Sequence, residues 1–406
     1  MKICIVIHVV VICTLMKGAI TLLRTFSFFL ILLLQLSKAQ IITTIAGTGT
    51  AGYNGDGIIA VTALINGAQG IALDASGNIY FGDIGGNRVR KITISTGLIS
   101  TVAGTGLGSY NGDGIAATSA QIQSPSALAF NNNGDLFFTD RGNNRIRKIT
   151  ISTGMISTVA GTGTAGFNGD GILATNAQLN FPNEVTFDSF DNLFIADWFN
   201  SRVRKVDKIT GLISTVAGTG TAGYNGDGIA ATSAQINGPC GIIFDYTGNL
   251  IFSDYSGYRI RKISAITGLI STIAGTGTGG YNGDGIAATA AQLNACAYIK
   301  FDTAENMYIG DAGNQRVRLI TKSTGLISTI AGTGTIGYNG DGIPATTAQL
   351  NYPFSVYFDK LNCNLYIADY YNNRVRKITG GFTGCPSPVA PGNLASCQIQ
   401  EPMNYY

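Results

Sequence analysis

Self-similarity at a fixed period constrains this chain more than any other feature. The glycine that ends an STVAG-like segment recurs at Gly47, Gly104, Gly161, Gly218, Gly275 and Gly332, each 57 residues after the last (104 − 47). A repeat of that size marks a propeller or an array, in which each unit leaves an apolar face for its neighbour to cover. Residues 212–268 are one complete copy, LISTVAGTGTAGYNGDGIAATSAQINGPCGIIFDYTGNLIFSDYSGYRIRKISAITG. What every copy keeps belongs to the scaffold, so function is sought where one copy departs from the rest.

Each copy offers four short strand candidates. In the fourth they are Gly241–Asp245, Asn249–Asp254, Arg259–Ser264 and Leu269–Gly275. All are apolar or β-branched runs bounded by Gly, Asn, Asp or Thr. Four antiparallel strands in each of six copies predict an all-β fold, a six-bladed β-propeller of four-stranded blades. A solenoid of β-turn-helix units is the alternative, but helix-length periodicity is missing. In the first strand the second column (Ile71, Leu128, Val185, Ile242, Ile299, Val356) is apolar throughout. So is the fourth (Leu73, Phe130, Phe187, Phe244, Phe301, Phe358), as expected of side chains held between neighbouring sheets. The repeats begin in mid-blade. Ile41–Gly47 is a fourth strand with no first three before it, and Arg374–Thr379 is a third strand with no fourth after it. The ring is therefore expected to be closed by the N-terminal strand, which would cover an open edge. This places blade one at 68–104 and blade six at 353–379 plus 41–47, within a propeller spanning 40–379.

The stretch from first to third strand, GIALDASGNIYFGDIGGNRVRKI in the first copy and SVYFDKLNCNLYIADYYNNRVRKI in the last, resembles the NHL repeat. The intervening AGTGTAGYNGDGIAATSAQIN is similar to a loop of extracellular and bacterial NHL proteins and of the teneurin NHL propeller. The resemblance covers 41–379 and implies a six-bladed propeller used mainly as a binding platform. It says less about activity, because propellers host unrelated functions.

The ends differ from the repeats. Thr25–Leu36 (TFSFFLILLLQL) follows Arg24 and precedes Ser37-Lys38-Ala39, the pattern of a signal peptide over residues 1–39 with cleavage before Gln40. A retained membrane anchor is the alternative, though the run falls short of the roughly 20 apolar residues a bilayer requires. A second apolar run, Ile3–Cys13, lies upstream, and a start at Met16 would make 16–39 an ordinary signal. Loss of Lys2, Lys17, Arg24 and Lys38 lowers the 26 basic residues to 22 against 23 acidic ones. A near-neutral chain carries no electrostatic footprint for nucleic acid. Five cysteines would remain, Cys240, Cys296, Cys363, Cys385 and Cys397. Cys385 and Cys397 bracket a Pro-rich tail over 380–406 and are the candidate disulfide, while Cys240 and Cys296 occupy nearly matching positions of adjacent repeats.

Several motifs have plain readings. Gly47-Thr48-Gly49-Thr50-Ala51-Gly52 fits G-x-G-x-x-G but lacks the βαβ context that a dinucleotide site needs. The NGDG aspartates (Asp56, Asp113, Asp170, Asp227, Asp284, Asp341) supply one carboxylate per loop with no bidentate acid, so calcium is disfavoured. They are expected to cap the following turn of helix. The aspartate closing each second strand (Asp83, Asp140, Asp197, Asp254, Asp311, Asp369) is expected to pair with the arginine opening the third (Arg88, Arg145, Arg202, Arg259, Arg316, Arg374). The one histidine, His8, lies in the leader, which leaves the mature chain no His-based zinc site or Ser-His-Asp triad. No cofactor and no metal is expected.

The departures carry the functional reading. Between that aspartate and arginine the copies read IGGN, RGNN, WFNS, YSGY, AGNQ and YYNN. They supply Arg141, Trp198, Phe199, Tyr255, Tyr258, Tyr370 and Tyr371, candidates for binding a protein or glycan if exposed and for packing if tucked beneath neighbouring loops. On the innermost strands Glu184, Tyr298, Lys300 and Tyr357 replace small or apolar residues. Glu184 and Lys300 read as an ion pair, or else as a ligand or general-base site at a channel mouth. The sequence thus points to a secreted or cell-surface, non-catalytic module presenting a loop face to an extracellular protein or glycan. A propeller hydrolase or lyase built around Glu184 is the alternative. An RNA-binding role, as in intracellular NHL proteins, conflicts with the leader and the charge.

Overall fold

The computed structural model describes residues 40 to 382. The apolar N-terminal runs and the tail that carries Cys385 and Cys397 lie outside the described residues. Six antiparallel sheets follow one another along the chain. Their first strands line the axis: Ala68–Leu73, Pro125–Phe130, Pro182–Phe187, Pro239–Phe244, Cys296–Phe301 and Pro353–Asp359, each touching the next. The first strand of blade six also touches that of blade one, so the molecule is a six-bladed propeller.

The blades are larger than four strands. In five of them a two-residue strand, such as Ile58–Ile59 or Ile172–Leu173, adds to the outer edge of the fourth. Blade four keeps four strands and a single bridge, Ala230 to Leu269. A strand this short carries little periodicity, which is why counting apolar runs misses it. In the sixth sheet Ile41–Ala46 lies antiparallel to Arg374–Thr379, with Ile42 opposite Ile378. The apolar columns interlock between blades. Ile71, Ile79 and Phe81 of blade one pack with Tyr366, Ala368 and Val375 of blade six.

Two expectations for the repeated charges need correction. The second-strand aspartate does not pair with the arginine that opens the third strand but with the one two residues on. Arg90, Arg147, Arg204, Arg261, Arg318 and Arg376 are fully buried, and each lies between two carboxylates. In blade three Arg204 reaches Asp170 at 2.8 Å and Asp197 at 3.4 Å. Facing does not separate the two arginines, since residues two apart share a face and Arg88 lies directly opposite Asp83 in the ladder; burial does, because only Arg90 is enclosed between the carboxylates. The NGDG aspartate is therefore an ion-pair partner and not a cap. The short 3-10 helices that follow, such as Ala60–Thr62, have no side-chain cap, and Asp56 accepts hydrogen bonds from Arg90 and Thr101 instead. Arg88 and its equivalents turn outward to backbone carbonyls and lie over the YNGDG aromatic, 3.7 Å from the Tyr53 centroid. Burial pushes all six second-strand aspartates up to about 6.

Candidate functional site

The loops between second and third strands share a face with the NGDG loops. Asn200 of WFNS donates to the carbonyl of Gly166, and Asn372 of YYNN to that of Gly337, each 2.6 Å away. A single 3-10 turn, Trp198–Asn200 or Tyr370–Asn372, ends in a left-handed residue and holds its first side chain toward the axis.

There the aromatics of four blades meet. Trp198 lies 4.8 Å from Tyr255, and Tyr255 lies 6.1 Å from Phe354 on the innermost strand of blade six. Phe354 in turn contacts Tyr298, Tyr352 and Tyr370. Tyr255 and Tyr352 share a hydrogen bond between their hydroxyls across the axis. Phe199 and Tyr371 stand at the edges of this array, tilted against Trp198 and edge-on to Tyr370, and each 61% exposed. Burial raises the hydroxyl pKa values of Tyr255, Tyr298 and Tyr370, so the array is neutral near pH 7.

The fit between blades follows a size rule. The first loop residue of one blade meets the residue just before the first strand of the next. Trp198 lies on Gly238, where a Cβ would come 2.7 Å from Nε1, and Tyr370 lies on Gly67 in the same way. Both glycines have positive φ, +68° and +77°. In blade three the receiving residue is itself large: Phe181, over which the Arg141 guanidinium of blade two lies 4.4 Å from the ring centroid. Arg141 also donates to Asn183 Oδ1 at 3.2 Å.

Of the residues singled out in the sequence, Arg141, Trp198, Phe199, Tyr255, Tyr298, Tyr370 and Tyr371 are brought together at this axial end. Tyr258 is not: half-buried, it faces Gly279 of the adjoining loop. Glu184 lies deeper and is 2% exposed. One of its oxygens takes Lys300 Nζ at 3.0 Å and the other the Ile242 amide at 2.8 Å, so it ties blades three, four and five together. Burial lifts its carboxyl to about 7, with Lys300 and the Ile242 amide opposing the rise. Lys300 and Tyr357 line a separate cavity of about 340 Å³ at the opposite mouth, below the first-to-second-strand turns. Cys240 and Cys296 are buried free thiols, and Cys363 is disulfide-bonded.

Sequence reading misses Phe181, Tyr352, Phe354 and Asn183. Their signal lies in two unread columns: Gly67, Ser124, Phe181, Gly238, Ala295, Tyr352 before the first strand, and Gln69, Ser126, Asn183, Cys240, Ala297, Phe354 within it.

No family model matches the chain. It is 25% identical over 306 residues to human NHL repeat-containing protein 2, covering 68% of this chain and 41% of that protein. To chicken teneurin-1 it is 27% identical over 296 residues, covering 64% of this chain and 11% of teneurin-1. The repeats are of the NHL type. A further match by sequence, chloroplastic protein suppressor of quenching 1 of Arabidopsis thaliana, is 25% identical over 296 residues, 70% of this chain and 27% of that one. The NHL chain thus spans well under half the length of these curated relatives. Among solved structures, an auxiliary nutrient binding protein from Bacteroides thetaiotaomicron superposes with a TM-score of 0.62 at 19% identity, covering 84% of this chain and 77% of its own. That likeness concerns the propeller fold alone.

Proposed function

We propose that this NHL propeller is a secreted or cell-surface, non-catalytic binding module whose loop face engages an extracellular protein or glycan. The concentration of aromatics from blades three, four and six at one axial end supports this reading, with Phe199 and Tyr371 each leaving 61% of their surface to solvent. Large exposed rings backed by a rigid aromatic layer are what binding hot spots are made of. The N-terminal strand serves in this proposal as the fastening of the ring, and holds the platform rigid. Both oxygens of Glu184 are engaged by the scaffold, which leaves the carboxylate poorly placed for catalysis.

The test is capture of a partner from extracellular material by the wild-type chain and three variants. Phe199→Ala and Tyr371→Ala are expected to weaken capture at least tenfold, and Glu184→Gln to leave it unchanged. Turnover of a bound ligand that disappears in Glu184→Gln would replace this reading with the enzyme.

A further inference from the structure

Arg141 differs from every arginine of the repeated scaffold. The inner six are each held by two carboxylates, and the outer six by backbone carbonyls. Arg141 has no carboxylate partner among the described residues. It makes one hydrogen bond, to an amide oxygen; its Nε is buried without a partner among those residues, as is that of each inner arginine, so the missing carboxylate is what sets it apart. The groups that feel its charge most come from across the axis: Tyr298 of blade five, Tyr370 of blade six, Cys240 and Tyr255 of blade four. All four are held neutral by burial. A guanidinium partly withdrawn from water without a counter-charge is costly, and an anion set against its outer end would relieve that cost. Arg141 as a whole is only half-buried and its Nη2 is not among the enclosed unpartnered atoms, so that end of the guanidinium, unlike Nε, lies within reach of a ligand.

We infer that Arg141 anchors a carboxylate-binding site at the axial end of the loop face, and that its ligand is an acidic sugar. This rests on the binding reading above and gives it a ligand class. The single positive charge fits a monoanion better than a phosphate dianion, since the polar groups beside it are Asn183, tyrosine hydroxyls and a neutral thiol. The half-exposed rings of Trp198, Tyr255 and Tyr370 leave apolar surface for the body of a pyranose. The hydroxyls of Tyr255 and Tyr352 keep spare hydrogen-bonding capacity for its hydroxyl groups.

Trp198 is the only tryptophan of the sequence, so its emission reports on this site alone. Titration of the full chain with galacturonic acid is expected to change that emission saturably, while galactose and methyl galacturonate do not. Arg141→Gln should weaken the response at least tenfold. Arg141→Lys, which keeps the charge but not the planar edge, should fall between. Near-ultraviolet circular dichroism of both variants checks that the aromatic array is intact. If it is lost in Arg141→Gln, the neutral-sugar and ester controls on the wild type decide alone. Equal response to galactose, or unchanged binding by a folded Arg141→Gln, overturns the site. Saturation by a short peptide with a free C-terminal carboxylate, but not by galacturonic acid, overturns the ligand class. Loss of partner capture in Phe199→Ala and Tyr371→Ala beside a silent Arg141→Gln sinks this inference and spares the broader reading. Galacturonic acid binding beside intact capture does the reverse.

Discussion

The middle of each blade and the axial end of the loop face are built from the same six repeats, yet they obey opposite rules. In the middle a buried arginine between two aspartates is repeated six times, and the flanking tyrosine or phenylalanine, threonine and asparagine recur with it. Each of those side chains meets the same neighbours in every blade, so one solution serves all six. At the axis equivalent side chains meet one another, and six copies of Phe354 or Trp198 would not fit. Large residues there face small ones, as Trp198 faces Gly238 and Tyr370 faces Gly67. Departure between copies is thus partly a packing requirement. What packing does not require is an arginine without a carboxylate, or rings left 61% exposed at the edge.

The comparison breaks most completely if the ring is opened. Removing residues 41–46 would leave the third strand of blade six unpaired along its outer edge and take Thr44 from Asp341. The expected result is loss of a cooperative melting transition, followed by circular dichroism. A truncated chain that melts like the intact one would overturn the proposed role of the N-terminal strand as fastening. Within one blade, Arg204→Met should cost about 3–5 kcal/mol, because Asp197 would remain buried without its cation. Phe199→Ala, only five residues away, should stay within about 0.5 kcal/mol of the wild type in urea unfolding. Comparable losses from the two would erase the division between scaffold and face.

Much of this was legible in the sequence. Period, strand count per repeat and the apolar columns gave the propeller, because they follow from alternation and from the need to bury one face of each sheet. The shared face of the loops and the Glu184–Lys300 contact were legible too. The two-residue outer strands were not, since they are shorter than any periodicity. Nor was the partner of the second-strand aspartate, because both arginines share its face and the register sets Arg88 opposite Asp83, while the burial of Arg90 decides the pair. Phe181, Tyr352 and Phe354 escaped because their columns were read as part of the loop or not at all.

Glu184 offers a smaller test, in pH. Its folded value of about 7 lies above the ordinary carboxylate range, so the folded chain holds a proton that the unfolded chain has released. Its contribution is therefore fully present below about 4.5 and is lost as pH rises through about 7. The loss amounts to at most about 3 kcal/mol. Stability measured by urea unfolding should fall from pH 5 to pH 7, and Glu184→Gln should flatten that slope. The six buried aspartates, raised to about 6, add a fall of the same sign that the variant keeps. A variant whose slope matches the wild type would mean that Lys300 keeps Glu184 ionised throughout the window.

The smallest expected effect separates blades one and four from the other four. In blades two, three, five and six an asparagine (Asn143, Asn200, Asn314, Asn372) donates to the buried aspartate three residues before it. Blades one and four have Gly86 and Gly257 at that position, and there Asp83 Oδ2 and Asp254 Oδ2 lack a hydrogen-bond partner. The arginine contacts are also slightly longer, 3.7 and 3.6 Å against 3.2, 3.4, 3.4 and 3.5 Å in the other four blades. A Cβ at either glycine would lie 2.6 Å from the carboxylate, which must then move, and the side chain's flexible end makes that move cheap. Neither glycine has a positive φ, so asparagine brings no backbone strain and removes freedom from the unfolded chain. Gly86→Asn is therefore expected to stabilise by about 1 kcal/mol, the worth of one hydrogen bond to a buried acceptor. Gly86→Ala controls for the backbone: it shares the entropy gain and the crowding but supplies no donor. Asparagine melting above alanine would show that the relay of blade one is incomplete in the natural chain. Equal melting points would mean that Asp83 already draws enough from Arg90 and the Asn66 amide, and the two classes of blade would merge into one.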